Sequence, residues 1–256
     1  MQDAREESCV RNEVDPAAAI APQIYRLLRQ AIVTLEYLPG QRLSEQEIGA
    51  RFGVSRQPVR EAFIKLSEAG LVRILPQRGT FVVRISLKDV ANARFVREAV
   101  EVAVATAACA VAPPEALDRL GELIAQQKEA AASDDQRLFL RYDEAFHRTL
   151  AEAVECASAW PFIEDVKAQM DRVRYLSLPA ASPMSLLIDQ HAEIVKAIAA
   201  RDAERAGDAM RLHLREILNS LPRLARAHPE LFEDDEMPAH AREAASATFG
   251  RDVAPA

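Results

Sequence analysis

The sequence is short of several residue types, and each shortage narrows the class of protein. Among 256 residues there are only 8 glycines and 3 cysteines, and aromatic side chains make up 5%. Few glycines and aromatics argue against a β-sandwich or barrel, and the many Ala, Leu, Glu and Arg residues favour helices. Because Cys9, Cys109 and Cys156 are odd in number and far apart, we expect reduced thiols, as is typical of a cytosolic protein.

Long apolar runs are lacking as well. The longest, residues 102–112, falls well short of the roughly 20 residues that cross a bilayer. The first ten residues are mostly polar and carry a net negative charge, without the apolar stretch of a signal peptide. We therefore expect a cytoplasmic protein that has no membrane partner.

The net charge of −7 hides an uneven distribution. Residues 20–85 contain ten Lys and Arg against five Asp and Glu, whereas the segments on both sides are acidic. Because affinity for phosphate is a local property of a surface patch, a basic module within an acidic chain is compatible with nucleic-acid binding.

The basic segment predicts three helices followed by a β-hairpin. Apolar residues at helical spacing predict a first helix from Pro22 to about Tyr37, and Ser44-Glu45-Gln46-Glu47 is a capping pattern for a short second one. A tight turn at Gly53-Val54 precedes a third helix, which Ser55 can cap and which ends near Gly70. Strands over 71–75 and 80–83 flank a turn, so the order is that of a winged helix-turn-helix.

In such a motif the second helix of the pair lies in the major groove, and its N-terminal residues face the base edges. Here those residues are Ser55, Arg56, Gln57 and Arg60. Arg pairs well with guanine and Gln with adenine, and Arg78-Gly79 at the wing tip suits a narrow minor groove. Spacing alone leaves open that these are ordinary solvated side chains on a small helical domain.

The stretch PGQRLSEQEIGARFGVSRQPVREAFIKLSEAGLVRILPQRGTFV resembles the DNA-binding domain of GntR-family regulators. It follows that family's PG-x-x-L-x-E, VSR-x-PVREAL and RG-x-FV pattern, with Phe63 in place of Leu and Ala69 in place of an acidic residue. The resemblance implies operator contacts from Gln46, Ser55, Arg56, Gln57, Arg60, Arg78 and Gly79. At Gln46 many members carry Arg.

Beyond Ser86 the predicted strands stop and amphipathic helices follow, which together indicate an antiparallel helical bundle. The predicted helices span 87–111, 114–132, 136–154, 158–177, 184–200 and 203–227. The expected fold is therefore mainly α, a winged helix-turn-helix plus an all-α bundle. The expected divisions are a disordered arm at 1–19, a DNA-binding domain at 20–85, an effector domain at 86–228 and a mobile tail at 229–256.

Four residues of the helical region form a candidate metal site. Asp143 and His147 are four positions apart on one predicted helix and share a face, while His191 and His213 lie among apolar residues of two others. Three imidazoles and one carboxylate suit Zn²⁺ or another divalent transition metal. Spacing alone leaves open that each is an ordinary core or surface histidine.

Residues 87–225 resemble the FCD domain, the effector domain of the FadR subfamily of GntR regulators. The segment RFVREAVE, from Arg94 to Glu101, is similar to that domain's R-x-x-E opening, and Asp143, His147, His191 and His213 match its metal-ligand pattern. The resemblance implies a bound metal, zinc first with nickel or manganese as alternatives. A count of six helices is closer to the VanR-type branch.

The resemblance also implies a small carboxylate effector, bound beside the metal. Arg97 is the first candidate to pair with it, and Arg94 is the alternative. Arg97 can equally form a salt bridge with Glu101, four residues on, so all three residues belong to the candidate effector site and both interpretations stay open.

The combined expectation is a ligand-responsive transcriptional repressor, not an enzyme. By resemblance it forms a homodimer, and a twofold protein implies a near-palindromic operator in double-stranded DNA. A metal-dependent hydrolase is the first rival, but the sequence has no HExxH motif and no Gly-rich phosphate loop. A protein-interaction scaffold is the second, and the Arg and Gln residues of the third helix argue against it.

Overall fold

The structure is a computed structural model that describes residues 14–178 and 182–250. It confirms a mainly helical chain with a small sheet, and the chain divides into two compact units that meet at Arg84 and Ile85. Each unit is described by itself. Among the described residues, no helix combines the length and apolar character that crossing a membrane requires.

The first unit contains three helices and a three-stranded antiparallel sheet. In chain order its elements are α1 Ile20–Val33, β1 Arg42–Leu43, α2 Glu45–Phe52, α3 Arg56–Glu68, β2 Val72–Leu75 and β3 Gly79–Val82. The strand order is β1-β3-β2, with Arg42 opposite Phe81 and Arg73 opposite Phe81 on the other side. This is a winged helix-turn-helix, as predicted.

The core of this unit lies where α1 packs on α3. Ile24, Leu28 and Ile32 of α1 and Val59 and Phe63 of α3 are at most 1% exposed. They recur every three or four residues, so each helix buries one face.

The end of α1 and the strand β1 differ from what the sequence predicts. The helix α1 ends at Val33 rather than near Tyr37, because Leu35 takes a left-handed conformation with φ of 59°. The two-residue strand β1 was not predicted, since its pairing with β3 carries no local signal. Residues 1–13 of the expected arm lie outside the described residues, and Asp15 exchanges hydrogen bonds with Gln23 of α1.

The second unit is a helical bundle. Its helices are α4 Leu87–Val111, α5 Pro114–Ala132, α6 Gln136–Ala153, α7 Trp160–Val166, α8 Ala168–Ser177, α9 Met184–Ala199, α10 Ala203–Ala227 and α11 Ala239–Phe249, with 3₁₀ turns at Ala157–Ala159 and Pro229–Leu231. The helix α10 packs against α4 and α9, and α5 packs against α6 and α9. One apolar core fills the space between α4, α5, α6, α9 and α10, and a second joins α4, α8, α10 and α11.

The predicted helix count is corrected. The helix expected over 158–177 is divided at Lys167 into α7 and α8, and α11 is an additional helix, so the six-helix similarity to the VanR-type branch is not supported. The expected mobile tail from Pro229 is also wrong over the described residues 229–250. There Phe232, Met237, Ala241 and Ala245 are buried in the second core, which offsets the entropy of ordering a polar segment.

Candidate nucleic-acid interface and metal centre

The helix-turn-helix depends on a close approach between α2 and the start of α3. Gly53 ends α2 in a left-handed conformation, with φ of 66°. A Cβ atom at Gly49 would lie 2.9 Å from the carbonyl oxygen of Val54, so only glycine allows the turn to fold back this tightly. Ser44 accepts a hydrogen bond from the Glu47 amide, which confirms the predicted cap of α2.

The exposed basic residues at the start of α3 are organised by one carboxylate. Glu45 of α2 accepts hydrogen bonds from Arg56 at 2.9 Å and from Arg60 at 3.0 Å. The Arg60 contact holds the pKa of Glu45 below its usual value, so this carboxylate stays ionised. Both guanidiniums are therefore oriented before any ligand arrives, although each remains exposed to solvent.

The structure places the other predicted DNA-contacting residues on the same exposed region of the unit. Gln46 lies on α2, and Gln57 on α3 donates a hydrogen bond to Glu61. Ser55 precedes α3 and is exposed, but its side chain does not make the predicted capping bond. These positions are compatible with base or phosphate contacts.

A second arginine besides Arg78 lies at the wing: Arg42, which was not among the predicted contacts. Arg78 is exposed in the turn between β2 and β3, and Gly79 beside it has φ of 109°. A Cβ atom at Gly79 would lie 2.8 Å from Nε of Arg42, so the absence of a side chain lets the guanidinium lie against the wing. No sequence signal links Arg42 to the wing, because the contact arises from the pairing of β1 with β3.

In the second unit the four predicted ligands come together. Asp143 and His147 lie on α6, His191 on α9 and His213 on α10, and one donor atom from each lies within 4.8 Å of all the others. The Nε2 atom of His213 is 3.2 Å from that of His147 and 3.3 Å from that of His191. All four side chains are buried.

The Nε2 atoms face one another, and we call the other ring nitrogen of each imidazole, Nδ1, its outer nitrogen. Each outer nitrogen faces an oxygen on another residue. Nδ1 of His191 is 2.8 Å from Oε1 of Gln127, and Nδ1 of His213 is 3.0 Å from Oε1 of Gln190. Nδ1 of His147 is 2.7 Å from Oε2 of Glu101. Because the Gln127 and Gln190 oxygens accept hydrogen bonds, Nδ1 of His191 and Nδ1 of His213 carry the proton, and the Nε2 atom of each keeps its lone pair.

The Nε2 atoms of the three histidines thus face one another in a buried space. Burial lowers the pKa of His191 to about 3, and burial likewise holds the pKa of His213 well below its usual value, so protons do not neutralise this arrangement near neutral pH. Neutral imidazoles with oriented outer nitrogens are the usual form of histidine ligands to a metal. The donor set therefore fits a divalent transition metal.

The carboxylate of the group already has a cationic neighbour. Arg174 of α8 forms an ion pair with Asp143. Burial alone would raise the pKa of Asp143, but the Arg174 guanidinium lowers it far below the usual range, so the carboxylate is ionised and able to bind a cation. Sequence analysis missed Arg174, because α8 has no metal-ligand pattern and only the fold brings it to α6.

The candidate effector residues separate into two places. Arg97 pairs with Glu101, with Nε 2.5 Å from Oε1, as one of the two predicted interpretations has it. Burial would raise the pKa of Glu101, but Arg97 lowers it to about 2, so Glu101 joins Arg97 to His147 as an ionised bridge. Arg94 instead pairs with Glu98, away from this chain of contacts.

We call the four candidate ligands, Asp143, His147, His191 and His213, the metal group. A small cavity of about 30 Å³ adjoins this group at His213. Its lining includes Arg97, Met170, Arg174, Ser177, Leu187, His213 and Glu216. The volume is on the scale of a single water molecule, so an organic acid enters only if the lining helices move apart.

The fold and these sites define a class: a winged helix-turn-helix DNA-binding protein with a second, all-helical domain. Comparison with known proteins places it further. The model of bacterial regulatory proteins of the gntR family matches residues 20–82, and the FCD domain model matches residues 93–216. The chain therefore belongs to the GntR family of transcriptional regulators, in the group with an FCD domain, and it is a regulator rather than an enzyme.

Individual relatives agree with this assignment. The chain is 40% identical over 226 residues to the HTH-type transcriptional repressor RspR of Escherichia coli (strain K12), covering 88% of this chain and 99% of the relative. A putative GntR transcriptional regulator from Rhodococcus sp. RHA1 is 29% identical with a TM-score of 0.64, covering 77% and 94% of the two chains. McbR/YncC of Escherichia coli, 18% identical with a TM-score of 0.69 over 82% and 99%, shares the fold.

The oriented imidazoles give a direct prediction for Gln127. Replacing Gln127 by Leu removes the acceptor of His191 Nδ1, and we expect metal affinity to fall about 10- to 100-fold. Competition with a chelator of known affinity measures the change. The matched control is Gln126→Leu, one position away on α5, and equal affinities for the two variants would contradict the role assigned to Gln127.

Proposed function

We propose that the protein is a metal-containing, ligand-responsive repressor that binds a near-palindromic operator as a homodimer in the cytoplasm. The observation that carries this proposal is the convergence of three imidazole Nε2 atoms and the Asp143 carboxylate inside the sensing domain. The metal is zinc, with nickel and manganese as the alternatives that the same donor set accepts. The relative from Escherichia coli is named a repressor, which supports repression rather than activation.

DNA binding is assigned to the exposed residues of the first unit. Arg56, Gln57 and Arg60 read base edges in the major groove, because their side chains extend from the start of α3. Ser55, Gln46 and the wing residues Arg78 and Gly79 position the duplex. Glu45 supports this role by holding both α3 arginines together before binding, which lowers the entropy that binding must remove.

The effector is assigned to the cavity beside the metal group. A small organic acid there meets Arg97 and Arg174, which both line the cavity and which both already bind carboxylates of this chain. The metal, when bound, supplies a further cationic contact for the acid. Arg94 is not proposed as a direct contact, because it pairs with Glu98 and does not line this cavity.

Ligand binding changes the bundle through these same ion pairs. An acid that recruits Arg174 competes with Asp143, and one that recruits Arg97 competes with Glu101. Arg97 lies on α4 and Arg174 on α8, so the exchange of partners shifts helices that belong to one packed core. The cavity opens as this occurs, since its volume in the absence of ligand is too small for an acid.

The interface of the proposed homodimer is assigned to the exposed face of α4. From Phe95 onward the exposed residues of this fully described helix are uncharged: Phe95, Ala99, Ala103, Thr106, Ala107, Ala110 and Val111. Phe95 and Val111 expose more than half of their surface. An uncharged helical face of small residues allows a second copy to pack closely, and such a face is unusual on a monomer.

The function as a whole is tested with the purified protein and promoter fragments from its own genome, screened with small organic acids. We expect sequence-specific binding that one class of acid weakens, with stoichiometric metal in the same sample. Absence of any preferred fragment, with and without acids, would overturn the proposal.

The recognition helix gives a prediction for Arg56. Arg56→Ala removes a bidentate reader of a base edge, and we expect a loss of about 1–3 kcal/mol in discrimination between operator and random DNA. Competition binding at fixed salt measures it. Arg119→Ala, an equal change of charge at an exposed site on α5, is the control and should leave discrimination unchanged.

The metal group gives a prediction for His213. His213→Ala removes one of the three converging nitrogens, so elemental analysis should show loss of the metal, and the organic acid should no longer release the operator. His228→Ala, an exposed histidine outside the group, is the control. Full metal occupancy in the His213 variant would remove this residue from the ligand set.

The proposed dimer surface gives a prediction for Ala103. Ala103→Glu places a carboxylate on the uncharged face of α4, and burying it without a partner should weaken the dimer by about 3 kcal/mol or more. Sedimentation velocity over a range of concentrations measures the shift to monomer. Ala125→Glu, on the exposed side of α5, is the matched control. A variant at Ala103 that stays dimeric would assign the interface elsewhere.

A further inference from the structure

The segment after α10 folds back onto the residues that precede α4. The Ile85 amide donates a hydrogen bond to the Leu231 carbonyl at 2.9 Å, and the Glu233 amide donates one to the Ile85 carbonyl at 2.9 Å. Ile85 and Phe232 thus form a parallel bridge, and both side chains are buried. We call residues 229–250 the C-terminal clasp.

The clasp also supplies the cap of α4. The Asp235 carboxylate accepts hydrogen bonds from the Leu87 amide at 3.0 Å, from the Lys88 amide at 3.2 Å and from the Ser86 hydroxyl at 2.7 Å. The Ser86 oxygen in turn accepts from the Asp89 amide at 3.0 Å. The first three amides of α4, which have no partner within the helix, are therefore all satisfied, two of them by a residue near the end of the chain.

The rest of the clasp anchors this cap. Met237, Ala241 and Ala245 are buried in the core that also contains Ile217 and Leu221 of α10. The hydroxyl of Thr248 accepts a hydrogen bond from Arg215 at 3.2 Å. Asp235 is thus held between two buried stretches, so its position does not depend on the contact with α4 alone.

The clasp binds at the start of the second unit, close in sequence to residues with proposed roles in function. Ile85 directly follows Arg84, the last residue of the DNA-binding unit, and Arg97 and Glu101 of the metal site lie further along the same helix α4. The clasp lies beyond both segments that the family models match, residues 20–82 and 93–216.

We propose that the C-terminal clasp keeps the first turn of α4 wound and thereby stiffens the connection to the DNA-binding unit, which tightens operator binding. This rests on the proposed function. Without the Asp235 carboxylate the first amides of α4 lose their partners and the turn frays. Each residue of the frayed turn gains conformational freedom. When both copies of the dimer bind one operator, that freedom is lost again, and its entropic cost weakens DNA binding.

The test compares Asp235→Ala with Asp234→Ala in the full-length protein. Asp234 is an exposed neighbour with the same charge, and it is not the partner of Ser86, Leu87 or Lys88. Hydrogen exchange followed by mass spectrometry should show exchange of the 86–90 amides roughly tenfold faster in the Asp235 variant. The amides of α6, and the zinc content, should match those of the wild type.

Operator binding by the zinc-loaded proteins is the second readout. We expect the Asp235→Ala variant to bind about tenfold more weakly than the wild type, and Asp234→Ala to bind like the wild type. Asp235→Asn keeps one acceptor oxygen and should give an intermediate value, which separates the loss of the cap from general unfolding.

Equal exchange over 86–90 in the Asp235→Ala and Asp234→Ala proteins would overturn the clasp, as would equal operator affinity. Failure of the proposed function has a different signature. In that case the wild type itself has no preferred DNA fragment, while the exchange comparison still decides whether Asp235 holds the start of α4.

Discussion

Three buried imidazoles whose Nε2 atoms converge inside one core are the constraint on which the second unit depends. The arrangement persists because an oxygen on a neighbouring residue fixes each outer nitrogen: Glu101 for His147, Gln127 for His191 and Gln190 for His213. Burial lowers the pKa of His191 and of His213, so these two rings stay unprotonated near neutral pH and cannot turn out to water. A divalent cation can bind between the converging Nε2 atoms, which is why the geometry is interpreted as a metal centre.

The same contacts join six helices. The residues around the metal group come from α4, α5, α6, α8, α9 and α10. An exchange of ion-pair or hydrogen-bond partners at this group therefore alters contacts between several helices of the bundle. The chain of contacts from Arg97 through Glu101 to His147 links α4 to the ligands, and α4 begins where the DNA-binding unit ends. In the proposed function, a change at the metal group therefore reaches the first residues of the second unit through one continuous helix. In the first unit Glu45 has a comparable organising role, since it holds Arg56 and Arg60 together.

The sequence predicts much of this, for physical reasons that differ between elements. Asp143 and His147 share a helical face by spacing, and the cap of α2 at Ser44 and the turn glycine Gly53 are local signals. What it does not predict depends on contacts between distant segments. Arg174 reaches Asp143 only in the folded bundle, and β1 exists only because β3 lies beside it. The clasp was predicted as a mobile tail from its polar composition, whereas a few buried residues such as Phe232 and Met237 are enough to order it.

The central claim is that the buried cluster of Asp143, His147, His191 and His213 holds a cation that stabilises the second unit. The most direct measurement is the metal content and unfolding temperature of the wild-type protein, as purified, after removal of metal with a chelator and after addition of zinc. The account predicts one metal per chain, a clear fall in unfolding temperature on removal and recovery with zinc, because a ligand that binds only the folded state raises stability. A protein that contains no metal as purified, and whose unfolding temperature does not respond to zinc, would contradict it.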